Sequence, residues 1–428
     1  MESNRVVTNP WKKPIIWSAV VLLVLIGIFT FGMSRTDLSE AANAYEKNKA
    51  LAESQGLLFT TEQVEALFKI PESDNGATLV SSVLPVLREL KLDKQKNLTE
   101  EVVTSNWSVL EPAIAEIEKA SFRKSLIFKR DRTIASATLF PEFSDAKQWV
   151  TLLTKIAHFS IQKGDLPNAH RYLDIAGYLG NKMDEEGVLI GFLVRMSCLS
   201  IVEREIQETI QTHGKNPAVV KMLGEVLTRL DQPYDMKKPL KFEHWYAVSG
   251  IDDFITNDSN FQAMSGTNSI PNEIRFGRLL PRFKSANLSR IHQVYAEGVQ
   301  SIPEDCYDLV GVQKAFADMD KIVAKPGLSY TLAGIVLPVF AQSGVAMAKE
   351  IAQRNVLAQS ISLLKGGTDP AEGLPLKGRF ALDLDGKPIR LKQTSSGWIV
   401  YSIGNDKVDD GGAELKNFKG DYVVHLPK

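Results

Sequence analysis

Four oxygen-bearing residues near the C-terminus, Asn405, Asp406, Asp409 and Asp410, stand among Gly404, Gly411 and Gly412. Carboxylate and amide oxygens on a flexible turn suit calcium, which takes about six to eight hard oxygen ligands. The spacing is not that of an EF-hand, and Asp, Asn and Gly are also the commonest turn formers. Two readings follow, a structural calcium site or a plain solvated turn, and no other cofactor is expected.

The remaining chemistry-bearing residues form no recognisable set. His158, His170, His213, His244, His292 and His425 lack the paired spacing of a metalloprotease, and Glu243-His244 has no second histidine one helical turn on. Each reads as a surface or packing residue. There is no Gly-x-Ser-x-Gly elbow, P-loop or dinucleotide fingerprint, so no enzymatic activity is expected, although a site assembled from distant residues escapes such a search. Cys198, in an apolar helical run, and Cys306 read as structural thiols, with a bridge between them as the alternative.

What positions these residues begins with an uncharged apolar run, residues 14–33, preceded by Arg5, Lys12 and Lys13. About 20 apolar residues rising about 1.5 Å each span the roughly 30 Å hydrocarbon core, and Trp11 and Trp17 suit the nearer interface. Only Arg35 follows before Asp37 and Glu40, so the positive-inside bias puts residues 1–13 in the cytoplasm and exports the rest. The expectation is a single-pass inner-membrane protein with a periplasmic or otherwise extracytoplasmic body. Gly32-Met33-Ser34-Arg35 offers no small-x-small motif, which argues against a cleaved signal peptide. A second uncharged run, 326–348, is diluted by Ser329, Tyr330, Thr331, Pro338, Gln342 and Ser343 and reads as a buried helix.

A chain that is 44% hydrophobic and 24% charged, with net charge −1, describes a globular body without the basic excess that nucleic acid demands. The same balance argues against wholesale attraction to anionic lipid. The most basic patch, Arg275, Arg278, Arg282, Lys284 and Arg290, lies among Pro, Gly and Asn and reads as a solvated connector.

Periodicity makes most of the chain helical. Residues 34–56, rich in Ala and Glu, read as a solvated stalk; residues 57–365 form a helical body with a linker at 263–282. Thr60 with Gln63 is a capping-box pattern. Helices are expected over 77–90, 100–119, 145–163, 184–211, 216–230, 239–256, 287–300, 309–323 and 349–364. Phe242, Trp245, Tyr246, Ile251 and Phe254 form a packing face. Within Leu153 to Ala176, small residues around a Gly164-Asp165 turn resemble one tetratricopeptide unit, but a shift of about 34 residues finds no second copy, and a generic helical hairpin is the alternative. Residues 379–428 alternate as a small antiparallel β module: Phe380 to Asp383, a turn at Asp385-Gly386, then 388–393, 398–403 and 422–426. The expected fold is mainly α, with an N-terminal membrane helix, helical hairpins and this C-terminal sheet.

The string Tyr401 to Gly412, after Asp385-Gly386-Lys387-Pro388 and before Gly420-Asp421-Tyr422-Val423, resembles the C-terminal end of type II secretion major pseudopilins. It is more similar still to the tail of uncharacterised single-pass membrane-anchored helical proteins of planctomycete-type bacteria, which Pro71 to Leu84 also resembles. In pseudopilins the corresponding loop binds calcium, which the resemblance implies for Asn405, Asp406, Asp409 and Asp410. Prepilin processing does not carry over, because Lys13-Pro14-Ile15-Ile16-Trp17 replaces the processing site and the span has no acidic residue.

The function expected from these features is a membrane-tethered scaffold or protein-binding protein of the envelope. Its partners would be the lipid bilayer and envelope or secretion-system proteins, with no nucleic acid. The alternatives are an accessory component related to a pseudopilin-type secretion assembly and an envelope hydrolase with a dispersed site. Sequons at Asn97, Asn106, Asn257 and Asn287 read as chance matches.

Overall fold

The computed structural model describes residues 35–92, 98–132, 140–256, 258, 262, 270, 272–332, 334, 337, 340–366, 371, 373–395, 397–404, 406–414 and 420–427, the side chains of 252–254, 256 and 273 excepted. The chain is mainly α, with one three-stranded antiparallel sheet near its C-terminus. The run 14–33 lies outside the described residues; among those described, no helix is long and apolar enough to cross a membrane. The longer helices are α1 (Tyr45–Ser54), α2 (Trp107–Ser121), α3 (Glu142–Gln162), α4 (Leu166–Asn181), α5 (Leu189–His213), α6 (Pro217–Leu230), α7 (Lys237–Thr256), α8 (Phe283–Ser301), α9 (Leu309–Val323) and α10 (Phe340–Gly366).

Two helical hairpins form the centre. Between α3 and α4, Gly164 takes φ 76°, a left-handed conformation that favours glycine, and Asp165 caps α4 by accepting from the Asn168 amide. The turn between α5 and α6 repeats the cap but not the left-handed glycine: Gly214 stays right-handed at φ −64°, Asn216 accepts from the Ala218 amide, and Pro217 opens the helix. The interval from Gly164 to Gly214 is about 50 residues, beyond the roughly 34 of a tetratricopeptide period, so a shift of that length misses the second hairpin. α5 packs on α3 and α4, and α6 packs on α4. Gly180 permits the close approach of α4 to α5, because a Cβ there would lie 3.0 Å from the Cβ of Cys198.

Residues 35–54 do not stand in solvent as a stalk. Leu38, Ala41 and Ala52 are buried, α1 lies along α8, and Asn48 Nδ2 donates to Ser289 Oγ at 2.9 Å. Ala41 and Ala52 are small enough to bring the helices together, a contact that a search for large apolar residues overlooks.

Prolines and polar side chains break other expected helices. Residues 77–90 become Ala77–Ser81 and Val86–Glu89, parted before Pro85, whose ring excludes an uninterrupted helix. Residues 100–119 divide at Asn106, where the side chain donates to the Val102 carbonyl. The run 326–348 is not one helix: Leu328–Tyr330 is a 3₁₀ turn and α10 begins only at Phe340. In the expected linker, the described part carries a helix, Asn272–Gly277, with Ile274 fully buried. The capping box at Thr60 and Gln63 forms as expected.

β1 (Arg390–Thr394), β2 (Gly397–Ser402) and β3 (Tyr422–His425) pair in that order, with Arg390 opposite Tyr401 and Val400 opposite Val424. Of Phe380 to Asp383, expected as a strand, Phe380 and Ala381 belong to a 3₁₀ turn over Gly378–Ala381, whereas Leu382 bridges Pro388 antiparallel across the expected turn at Asp385-Gly386, where the Gly386 amide donates to the Asp383 carbonyl at 2.9 Å. Val400 and Val424 enter the same apolar core as the helices, against α5 and α10, while Ile399, Tyr401 and Val423 cluster apart.

Candidate functional site

A cleft of about 670 Å³ opens beside α4, α5 and α6 and the segment that leads into α7. α4 contributes Asp174 and Asn181, α5 contributes Arg195, α6 contributes Arg229, and Gln232 and Lys238 close the rim. Gly177 widens this wall: a Cβ there would come within 2.5 Å of the Leu230 side chain. Most charges in the wall are met by neighbours. Arg195, only 3% exposed, pairs with Asp184 at 2.6 Å and donates to the Gln232 carbonyl at 2.7 Å, while Arg229 pairs with Asp174.

Three buried polar atoms in the wall are not met. Arg195 Nε, Asp174 Oδ1 and Asn181 Oδ1 have no hydrogen-bond partner among the described residues. Each such atom costs about 1–3 kcal/mol unless something reaches it. Burial lifts the Asp174 carboxyl above its usual range, against the opposing effect of His170 and Arg229.

Behind the cleft lies a buried network. The Arg195 guanidinium stacks over Tyr234 at 4.1 Å, and Tyr234 donates to Glu350 at 2.8 Å. Arg354 gathers Glu350, Glu203 (3.4 Å) and Asp231 (3.1 Å) from α10, α5 and the end of α6. Burial, reinforced by Glu350, pushes the Glu203 carboxyl well above the usual carboxylate range. Burial pushes Glu350 the same way, but Arg354, Glu203 and Tyr234 together outweigh it and hold Glu350 low.

The Asp-rich loop is organised by an arginine. Arg390 pairs with Asp383, with Asp385 at 2.8 Å and with Asp409 at 2.8 Å. The other Asp409 oxygen accepts from the Gly411 amide, Asp406 accepts from Val408, and the Asp410 and Gly412 amides donate to Asp421. Asn405 lies outside the described residues. Among the described residues, the loop's acids do not converge as a group of three metal-ligand atoms; the one such group is His158, Glu205 and Glu208, on α3 and α5. His158 Nδ1 lies 2.8 Å from Glu205, and a search for paired histidines could not find it.

The remaining candidates are structural. His244 and His292 form a buried pair, Nε2 to Nδ1 at 2.8 Å, with His244 Nδ1 against the Leu58 carbonyl. Burial pushes them down to about 4 and about 3, the latter helped by the neighbouring His244. Cys198 and Cys306 are both free and buried, so no bridge joins them. Phe242, Trp245 and Ile251 are buried, as a packing face requires, while the Phe254 side chain lies outside those described. Asn287 is fully buried, with its amide on the Phe283 and Leu328 carbonyls, which makes that sequon inaccessible.

No protein-family model, curated protein or solved structure matches this chain. Function is therefore argued from the cleft and the network behind it.

Proposed function

We propose that the chain is a membrane-tethered scaffold of the cell envelope, anchored by residues 14–33, whose cleft beside α4, α5 and α6 holds a polar segment of another protein. The observation that carries this reading is the set of unmet polar atoms, Arg195 Nε, Asp174 Oδ1 and Asn181 Oδ1, in one wall of a cleft large enough for several side chains. One donor and two acceptors suit the alternating N–H and C=O groups of a peptide. Stacked hairpins of the tetratricopeptide kind are one architecture that leaves such a groove, and the two capped turns at Gly164 and Gly214 support it.

Affinity purification of the full chain from native membranes, after crosslinking, tests the reading. A partner that is lost on Asn181→Leu and Arg229→Glu, while thermal stability is kept, supports it. Recovery of secretion components by the same route would favour the accessory role in a pseudopilin-type assembly. A partner retained by both variants contradicts the assignment of the cleft.

A further inference from the structure

We propose that residues 275–284 form a membrane-contacting patch, seated against anionic lipid headgroups where the chain leaves the bilayer. The proposal rests on the reading of residues 14–33 as an anchor. Composition marked this segment as a solvated connector, yet Ile274 and Phe283 are buried and fix it to the body. Its outward residues mix cations with apolar side chains: Arg275, Arg282 and Lys284 are exposed, and so are Leu279 (79%) and Phe276 (41%). Cationic heads beside inserting apolar side chains are the composition of an interfacial segment.

Position supplies the second argument. Leu280, Pro281 and Arg282 wall a cleft of about 290 Å³ with Arg35, Leu38 and Ser39, and Arg282 Nη1 donates to Asn43 Oδ1 at 3.0 Å. The apolar run ends at Met33. Arg35 follows it by two residues, so even a fully extended chain puts Arg35 within about 7 Å of the end of the run. The headgroup layer is about 5–8 Å deep on each side of the hydrocarbon core. The patch is thus tied to the part of the chain that lies at headgroup depth.

Charge selects the occupant. Arg275 and Arg282 place exposed positive charge on this surface in a chain whose net charge is −1. Two nearby acids have partners of their own: Asp258 pairs with Arg278, and Asp37 pairs with Arg290 and accepts from Ser329. An anionic headgroup meets such a surface with about a fivefold gain for each basic residue near it.

The test places a nitroxide on Leu279→Cys in the full-length chain. Both native thiols are buried, and burial pushes that of Cys198 up to about 12, so the new cysteine is the accessible one. The chain is reconstituted in phosphatidylcholine vesicles with or without roughly one-third phosphatidylglycerol. With the anionic lipid, collisions with oxygen should exceed those with a water-soluble nickel chelate, and Arg275→Glu should shift that balance toward nickel by at least about fivefold. A label equally open to nickel in both vesicles, in a chain that survives an alkaline wash, overturns the patch and leaves the anchor standing. A chain that the wash extracts overturns the anchor, and the patch with it. A label shielded from both reagents means a protein contact, such as a second copy, and also overturns the lipid assignment.

Discussion

The Asp-rich loop and the cleft differ in how their charges are met. In the loop, one partly exposed arginine, Arg390, takes up Asp383, Asp385 and Asp409, and backbone amides satisfy most of the remaining oxygens. Behind the cleft, one buried arginine, Arg354, likewise gathers three acids, but among the described residues Glu203 Oε2 has no partner, nor do three polar atoms of the cleft wall above it. The loop that looks like a ligand site in the sequence is largely closed on itself. The cleft, which has no sequence signature, keeps buried polar atoms in its wall that no described residue meets.

The largest expected effect comes from removing the buried cation. Arg354→Met should destabilise the chain by about 3–5 kcal/mol in chemical denaturation, because it strands the buried Glu350 without a counter-charge, while Asp231 keeps Arg379. Glu203→Gln should cost less, since burial and Glu350 already push the Glu203 carboxyl well above the usual carboxylate range; an equal loss from both variants would contradict that shift.

Acid comes next. The folded state refuses protons at His244 and His292 that the unfolded chain binds below about pH 6.5. Stability should be intact above that value and fall as the pH drops towards about 4. The loss should be on the order of 3 kcal/mol for each histidine. A denaturation midpoint that does not move between pH 7 and 4.5 would contradict the buried neutral pair.

The loop should respond less. Arg390 sits nearer solvent, so Arg390→Ala should cost about 1–2 kcal/mol, read from the same denaturation curves. The smallest effect should be that of calcium: with Arg390 already among the acids, millimolar calcium should leave the melting temperature unchanged. A clear rise, abolished by Asp409→Asn, would instead make the loop a metal site, as its resemblance to pseudopilin tails implies.

What the sequence made legible was local. The capping box at Thr60, the turn at Gly164-Asp165 and the alternation in β2 each depend on residues within a few positions, and each formed where expected. What it hid was contact over distance. Ala41 and Ala52 help bury the supposed stalk although they are small, and the kinship of the second hairpin, whose helices were expected at 184–211 and 216–230, escaped because its interval is not that of the known repeat. The cleft was invisible for the same reason. Asp174, Asn181, Arg195 and Arg229 sit on three helices at ordinary surface-like positions, and only packing makes two of their carbonyl-type oxygens and one guanidinium nitrogen buried and unmet. The loop misled because aspartates that pair with a distant arginine have the same composition as aspartates that hold a cation.

Site-specific photo-crosslinking of the full-length chain in its native membrane compares the two regions directly. A photoreactive residue replacing Asn181 in the cleft wall should capture a protein partner, and one replacing Val408, exposed in the Asp-rich loop, should capture none. Capture from position 408 alone would contradict the assignment of binding to the cleft and return it to the loop.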